Sequence, residues 1–482
     1  MKMEVASHFH LSIFNYFYTK YVKMTLHNNP QVQLCSGLRK IFFFLLMAAC
    51  FQAAAQTGSR SRVSFNEDWK FNLGDVPEAK AEAFSDAGWR SLQLPHDWSI
   101  EGQFSEKNPA TVGGGALPGG IGWYRKSFMI PVSDKEKNIF VDFDGVYCNS
   151  EVWINGHYLG LRPNGYISFR YDLTPYLKYG SAKNEIAVKV DNSQQPNSRW
   201  YSGSGIFRNV WLVMTGKCYV DHWGTFITTS RVSETSARVN LNLRFHVPAG
   251  YDQAVGVSTI IFDASGKEVT KNSMRMSEVK DTLVNLSQQF TIDKPALWSF
   301  DRPTLYRAIT KITAGSKTMD EYTTPFGIRY FSFDADDGFS LNGRWVKIQG
   351  VCDHHDLGCL GSAVNKAAIR RQLKILKGMG CNAIRTSHNP PAPELLDLCD
   401  EMGFLVMDEA FDMWKKSKNK YDYHLAWDEW HKKDLEDQVL RDRNHPSVMI
   451  WSIGNEIPEQ WSKDGSGTEI ARELASIIKS LD

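Results

Sequence analysis

The stretch Asp442-Arg-Asn-His-Pro-Ser-Val-Met-Ile-Trp-Ser-Ile-Gly-Asn-Glu456 carries a nearly continuous apolar run, Val448, Met449, Ile450, Trp451 and Ile453, that ends in an Asn-Glu pair. Such a run is what a parallel strand needs when both faces of its sheet are covered, so the stretch predicts a buried strand. In a barrel of alternating strands and helices the carboxyl ends of the strands carry the chemistry, which makes Asn455 and Glu456 candidate site residues.

Working outward, the same signal repeats. Trp345–Val351 reads as a strand, Ala367–Gly378 as a helix with Ile369, Leu373 and Leu376 on one face, and Cys381–Arg385 as the next strand. Glu394–Met402 is the next helix, Phe404–Asp408 a third strand, Trp427–Arg443 a third helix, and Glu469–Leu481 a fourth helix beyond the Val448–Ile453 strand. Regular alternation of this kind implies a parallel sheet with right-handed crossovers.

Upstream the pattern is one of strands alone. Ile139–Phe143 is followed by Glu151–Ile154, an Asn155-Gly156 turn and His157–Leu159, which together read as a hairpin, and Asn184–Val190 alternates with Ile186, Val188 and Val190 on one face. The spacing predicts an all-β, jelly-roll-like sandwich over residues 56–217. Arg238–Phe245 turns Val239, Leu241, Leu243 and Phe245 inward, and residues 218–327 suit an immunoglobulin-like β-sandwich. Residues 328–482 then hold the strand–helix units, and residues 1–55 a leader.

That leader reads as a secretory signal. Arg39-Lys40 precedes the apolar run Ile41–Ala49, and Ala53-Ala-Ala-Gln56 supplies a cleavage site after Ala55, so a secreted, periplasmic or outer-surface protein is expected. Cys50, after Met47-Ala-Ala, is the alternative anchor of a lipoprotein. The run is too short to span a membrane and no second one follows. The 482 residues carry 55 basic and 54 acidic side chains, which removes the electrostatic case for nucleic acid or an anionic membrane as partner and favours a neutral substrate. The cysteines after residue 56 form no Cys-x-x-Cys pair, so neither a zinc site nor a disulfide framework is indicated.

Polar residues converge at the carboxyl ends of the predicted strands: His354-His355, then Arg385, Ser387 and His388, then Asp408-Glu409, then Asn455-Glu456. Any one of these alone reads as a structural hydrogen-bonder. Four strands in succession ending this way read as an active-site rim. Glu456 suits a general acid, Asn455 a hydrogen bond to a substrate hydroxyl, and Arg385 the tuning of a nearby carboxylate. His354 and His388 suit hydrogen bonds to ring hydroxyls; no His-x-x-x-His or His-Glu-x-x-His spacing supports a metal.

Asp442–Glu456 resembles the acid/base signature of glycoside hydrolase family 2, the β-galactosidase and β-glucuronidase family. Asn382-Ala-Ile-Arg-Thr-Ser-His-Asn-Pro390 is similar to the second family signature, with Asn389 where an aromatic residue is usual. Gly350-Val-Cys-Asp-His354 resembles the first-strand histidine motif, and Leu94–Trp98, Gly122–Arg125 and Ser204–Arg208 resemble parts of the sugar-binding domain. The resemblance implies a sandwich, an immunoglobulin-like domain and a (β/α)8 TIM barrel, in that order. It also implies an exo-acting glycosidase that cleaves terminal β-linked sugars by a retaining mechanism, with two carboxylates about 5 to 5.5 Å apart. Glu456 is the implied acid/base, Asn455 the 2-hydroxyl partner, and His354, Arg385 and His388 subsite residues; from its place at a strand end, and not from the resemblance, Asp408 is a further candidate substrate contact, although the Asp408-Glu409 pair reads first as a structural salt-bridge partner. No cofactor is expected. Bacterial β-galactosidases of the family hold magnesium with a Glu and a His shortly after the third strand, where this chain has Asp412-Met-Trp-Lys415, so that site is expected to be absent or rebuilt. Arg199 replaces an acidic sugar contact and is a further candidate for the pocket, which leaves the sugar open.

A (β/α)8 barrel takes roughly 250 residues, whereas the chain after Tyr330 shows only the first half of one. The nucleophile of the seventh strand is therefore expected outside this chain, and the isolated chain is expected to be inactive and prone to aggregate along its uncovered strand edges. β-Galactosidase is the leading reading and a glycoside the expected partner, with a homo-oligomer compatible with the full-length form. β-Glucuronidase or β-mannosidase activity, and a non-catalytic carbohydrate-binding role, are the alternatives.

Overall fold

The computed structural model describes residues 60–482. The expected signal cleavage near Ala55 and the alternative at Cys50 lie outside them.

The first layer pair follows from alternating apolar residues. A six-stranded antiparallel sheet runs in the order Arg90–Leu92, Trp69–Leu73, Gly120–Phe128, Asn184–Asn192, Ser150–Ile154, His157–Arg162. A four-stranded sheet, Ser61–Ser64, Val210–Thr215, Asn138–Phe143, Phe169–Asp172, faces it. Ile186, Val188 and Val190 are fully buried between the sheets with Trp69, Val141 and Phe143. The second sandwich pairs a three-stranded sheet built on Ser236–His246 with a four-stranded sheet built on Val255–Phe262 and Tyr306–Ala314, seven strands in all. Its inward set includes Val239, Leu241 and Phe290, as the alternation requires.

Four parallel strands follow, each covered by a helix: β1 (Gly350–Asp353), α1 (Lys366–Gly378), β2 (Ala383–Thr386), α2 (Pro393–Met402), β3 (Leu405–Glu409), α3 (Trp427–Asp442), β4 (Val448–Ser452) and α4 (Ser466–Leu481). The sheet order is β1-β2-β3-β4. Local chemistry sets the helix ends: Asn365 caps α1 by accepting from the backbone N–H groups of Ala367 and Ala368, and α2 starts at Pro393 and stops at Gly403 in the left-handed region. Ile369, Leu373, Leu396, Ile384 and Val406 form the buried layer between helices and sheet. Among the described residues no helix is long and apolar enough to cross a membrane.

Two expectations differ from the structure. The first barrel strand is β1, not Trp345–Val351, because Asn342 (φ 53°) and Gly343 (φ 74°) turn the chain back so that Trp345 pairs with Ser340 in a small hairpin. Phe339 and Leu341 of that hairpin pack on Ala383 and Leu405 and close the amino-terminal end of the sheet. In β4, only Val448 is buried and the next four residues are half-buried, because this strand pairs with β3 alone.

Candidate active site

The period of two along β3 decides which acid reaches the rim. Val406 packs into the helix-facing layer, so Asp408 shares its outward phase while Leu405, Met407 and Glu409 face the barrel interior. Asp408 is 1% exposed and accepts from Gln438 Nε2 of α3 at 2.7 Å; burial, together with the nearby Asp442 carboxylate, pushes its carboxyl well above the usual range. The expectation that Asp408 touches substrate is therefore corrected: it is a structural residue under the helix layer. Its neighbour Glu409 takes the rim position.

Glu409 is the hub on that side. Arg385 Nε and Nη2 reach its oxygens at 2.7 to 2.9 Å, His388 Nδ1 lies 2.7 Å from Oε1, and Ser452 Oγ donates to Oε2 at 2.6 Å. Ser452 faces inward because of a bulge in β4. Val448 pairs with Val406, but Ile450 pairs with Met407, so Met449 is an extra residue that flips the phase of everything after it. Without that bulge, the position next to Glu409 would carry Trp451.

Asn455 is tied at both ends of its amide. Arg385 Nη2 donates to its Oδ1 at 2.8 Å, and its Nδ2 donates to Asp412 Oδ1 at 2.8 Å. Glu456 stands beside it with φ at 43°, in the left-handed region that a non-glycine residue seldom adopts, and its side chain is 66% exposed. The structure thus brings Arg385, His388, Asn455 and Glu456 to one rim. His354 joins them through its ring, 5.4 Å from that of Trp200 and 5.5 Å from that of His388. Burial, reinforced by His388, lowers the His354 pKa and keeps it neutral near pH 7.

The sandwich domain delivers the remaining pieces. Asp97, in the segment Leu94–Trp98, accepts from the backbone N–H groups of Ser99, Ser204 and Ser362 and from the Tyr201 hydroxyl, pinning the loop between the strands Asn184–Asn192 and Val210–Thr215. Arg208, fully buried, donates to the carbonyls of Pro390 and Pro391 and so fixes the loop that follows His388. The pinned loop sends Trp200 against His354 and His388, and Arg199 to Glu456. Arg199 Nη1 donates to Glu456 Oε2 at 2.8 Å, while its Nε and Nη2 donate to Asp412 at 3.0 and 2.5 Å. Lys418 Nζ donates to Asp412 Oδ1 at 3.0 Å and to the Asn455 carbonyl at 2.6 Å. Burial pushes the Asp412 carboxyl up, but the hydrogen bonds from Arg199, Asn455 and Lys418 outweigh it and leave the group below its ordinary value. Arg199 likewise holds the Glu456 carboxyl below the usual range.

Sequence reasoning missed Asp412, Lys418 and Trp200 as site residues. Asp412 and Lys418 lie in the loop after β3 and Trp200 in a sandwich loop, and no periodicity marks a loop. The residues after β3 do not fit the magnesium site of the family resemblance. Met413 is buried, Trp414 Nε1 donates to the Ile453 carbonyl at 2.7 Å, Lys415 pairs with Asp428, and the Asp412 oxygens are held by two cationic side chains and an amide. Among the described residues no group of three His, Cys, Asp or Glu side chains is arranged to hold a metal ion.

A sandwich, an immunoglobulin-like domain and the parallel strands of a TIM barrel, with an Asn-Glu pair at the end of the fourth, define a glycoside hydrolase architecture. Residues 63–216 match the sugar binding domain of glycosyl hydrolases family 2, residues 218–329 match glycosyl hydrolases family 2 and residues 335–482 match the TIM barrel domain of glycosyl hydrolases family 2. The chain belongs to glycosyl hydrolase family 2. It is 55% identical to a β-galactosidase of Bacteroides ovatus over 90% of this chain and 50% of that protein. A β-glucuronidase of Formosa agariphila is 28% identical over 88% of this chain and 44% of its own length. Among solved structures, a β-glycosidase from Bacteroides vulgatus superposes with a TM-score of 0.82 at 43% identity, over 88% of this chain and 53% of that one. A family 2 member from Bacteroides cellulosilyticus gives a TM-score of 0.85 at 39% identity, over 87% and 55%. The chain spans about half the length of the relatives it matches.

Proposed function

We propose that this chain carries the acid/base half of a retaining β-glycosidase site that removes terminal β-linked galactose from a glycoside. The observation that carries the reading is the Asn455-Glu456 pair: the amide is immobilised by Arg385 and Asp412, and the exposed carboxyl beside it, held by Arg199 at Oε2 alone, presents its other oxygen to solvent. Glu456 protonates that oxygen and then takes a proton from the attacking water, while Asn455 orients the sugar ring. The other inward carboxylates, Glu409 and Asp412, have their oxygens hydrogen-bonded to Arg385, His388, Ser452, Arg199, Lys418 and Asn455, so neither is free to attack the anomeric carbon. Among the described residues neither of these carboxylates is assigned as the nucleophile. Charge supports a neutral sugar: Arg199 and Lys418 are balanced by Asp412 and Glu456, and Arg385 by Glu409, so each of these three cations already has a carboxylate partner. Secretion is part of the proposal and rests on the Arg39–Gln56 signal pattern.

The test joins this chain to the part of the Bacteroides ovatus β-galactosidase that it does not match. The chimaera is expected to hydrolyse lactose and nitrophenyl β-galactoside in preference to the glucuronide and mannoside. Glu456→Gln is expected to slow lactose, whose leaving group needs a proton, by about 10²- to 10⁴-fold, and nitrophenyl galactoside much less. Preference for the glucuronide would refute the sugar assignment, and an unchanged lactose rate in Glu456→Gln would refute the acid/base role.

A further inference from the structure

Glu456 leaves β4 with its carboxyl in solvent, and among the described residues its one side-chain hydrogen bond is to Arg199, 257 residues away in another domain. Arg199 is itself no free arm. Two of its nitrogens form a forked contact with Asp412, which is 3% exposed, and such a planar fork fixes the direction of the third nitrogen. Asp412 is anchored in turn by Lys418 Nζ and Asn455 Nδ2, and Lys418 closes the ring onto the Asn455 carbonyl. The backbone around Arg199 is equally constrained: Ser198 Oγ donates to the Trp200 carbonyl at 2.6 Å and Trp200 Nε1 donates to the Tyr166 hydroxyl.

We propose that Arg199 and Lys418 are positioning residues for the Glu456 carboxyl, a protein-borne cation pair, supplied jointly by the sandwich and the barrel, at the rim position where family resemblance points to magnesium. The assignment rests on the acid/base reading of Glu456. Three charged groups face Glu456, namely Arg199, Lys418 and Asp412, and the sum over all four is zero. The sandwich is thereby part of the catalytic rim rather than a separate sugar-binding module. The ion pair also sets a resting state. With Arg199 attached, the carboxyl stays ionised, and the acid form arises only when that contact opens and the carboxylate takes a proton from solvent.

The experiment follows the side-chain carboxyl carbon of Glu456 by NMR in this chain labelled on glutamate, with Glu456→Gln identifying the signal. Arg199→Ala is expected to raise the titration midpoint at low salt, with most of the rise lost in molar salt. Arg199→Lys is expected to recover part of the shift, and Lys418→Met to give a smaller rise through loosened Asp412. Magnesium is expected to leave the wild-type signal unmoved. An unchanged midpoint in Arg199→Ala, or a magnesium-induced shift in the wild type, would overturn the proposal. In the chimaera, Arg199→Ala is expected to move the pH limb of lactose turnover and leave the nitrophenyl limb in place. A shifted midpoint with an inactive chimaera would sink the catalytic reading and leave the cation pair standing, whereas an active chimaera with no shift would sink the pair alone.

Discussion

Replacing Arg385 by methionine isolates the Glu409 hub. The Glu409 side chain is fully buried, and Arg385 supplies three of its hydrogen bonds and, among the described residues, the only permanent positive charge in contact with it. His388 and Ser452 remain in the variant, but neither carries a fixed charge. Breaking a buried ion pair from one side costs about 3 to 5 kcal/mol, because the remaining carboxylate stays desolvated. At about 1.4 kcal/mol per tenfold, the lower figure corresponds to roughly a hundredfold faster opening of the segment around it. Hydrogen–deuterium exchange of the amides in Ala383–Thr386 and Leu405–Glu409 reads that directly, with the sandwich strands as internal controls. Adding Glu409→Gln to Arg385→Met is expected to return much of the protection, since the charge is then removed along with its partner. Exchange within threefold of wild type in Arg385→Met would show that the Arg385–Glu409 contact does not hold this segment, and the reasoning about the rim would fail.

His445 Nδ1 lies 2.6 Å from Asp400 Oδ2. Burial lowers its pKa, but the Asp400 carboxylate more than offsets this and raises it from 6.5 to about 9. A pKa raised on folding adds stability that is complete below about pH 6.5 and is lost as the pH rises through about 9, by about 3 kcal/mol in all. Urea midpoints of wild type and His445→Gln, compared across that window, are expected to converge at its alkaline end; a constant gap would count against the pair. Gly205 has φ at +124°, and a Cβ there would lie 2.4 Å from the Tyr124 hydroxyl and 2.7 Å from the His96 carbonyl. Gly205→Ala is expected to lower the melting temperature, with a cost of about 1 to 3 kcal/mol from backbone strain alone, and to loosen the loop that carries Arg199; an unchanged melting temperature would show that the loop can shift freely.

The order of elements and half of the rim were legible in the amino-acid string because they rest on local rules. Apolar runs with period two or 3.6 mark strands and helices, and the polar residue that ends each run, Arg385 or Asn455, stands where a parallel sheet presents it. What failed was phase. Asp408 and Glu409 are both acids at the end of one strand, and only the packing of Val406 against the helix layer says which of them faces inward. The bulge at Met449, which turns Ser452 toward Glu409, is a property of pairing between two strands and leaves no mark in either alone. The hairpin at Asn342-Gly343 carries a turn dipeptide that the reading of the sequence passed over, because the apolar run beyond it read as one strand. Local chemistry in the chain therefore determined the architecture and the place of the Asn455-Glu456 pair at the end of β4. Tertiary structure alone decided that Arg199 would meet it, because a hydrogen bond between residues 257 positions apart depends on how one domain docks on another, and no periodicity encodes that.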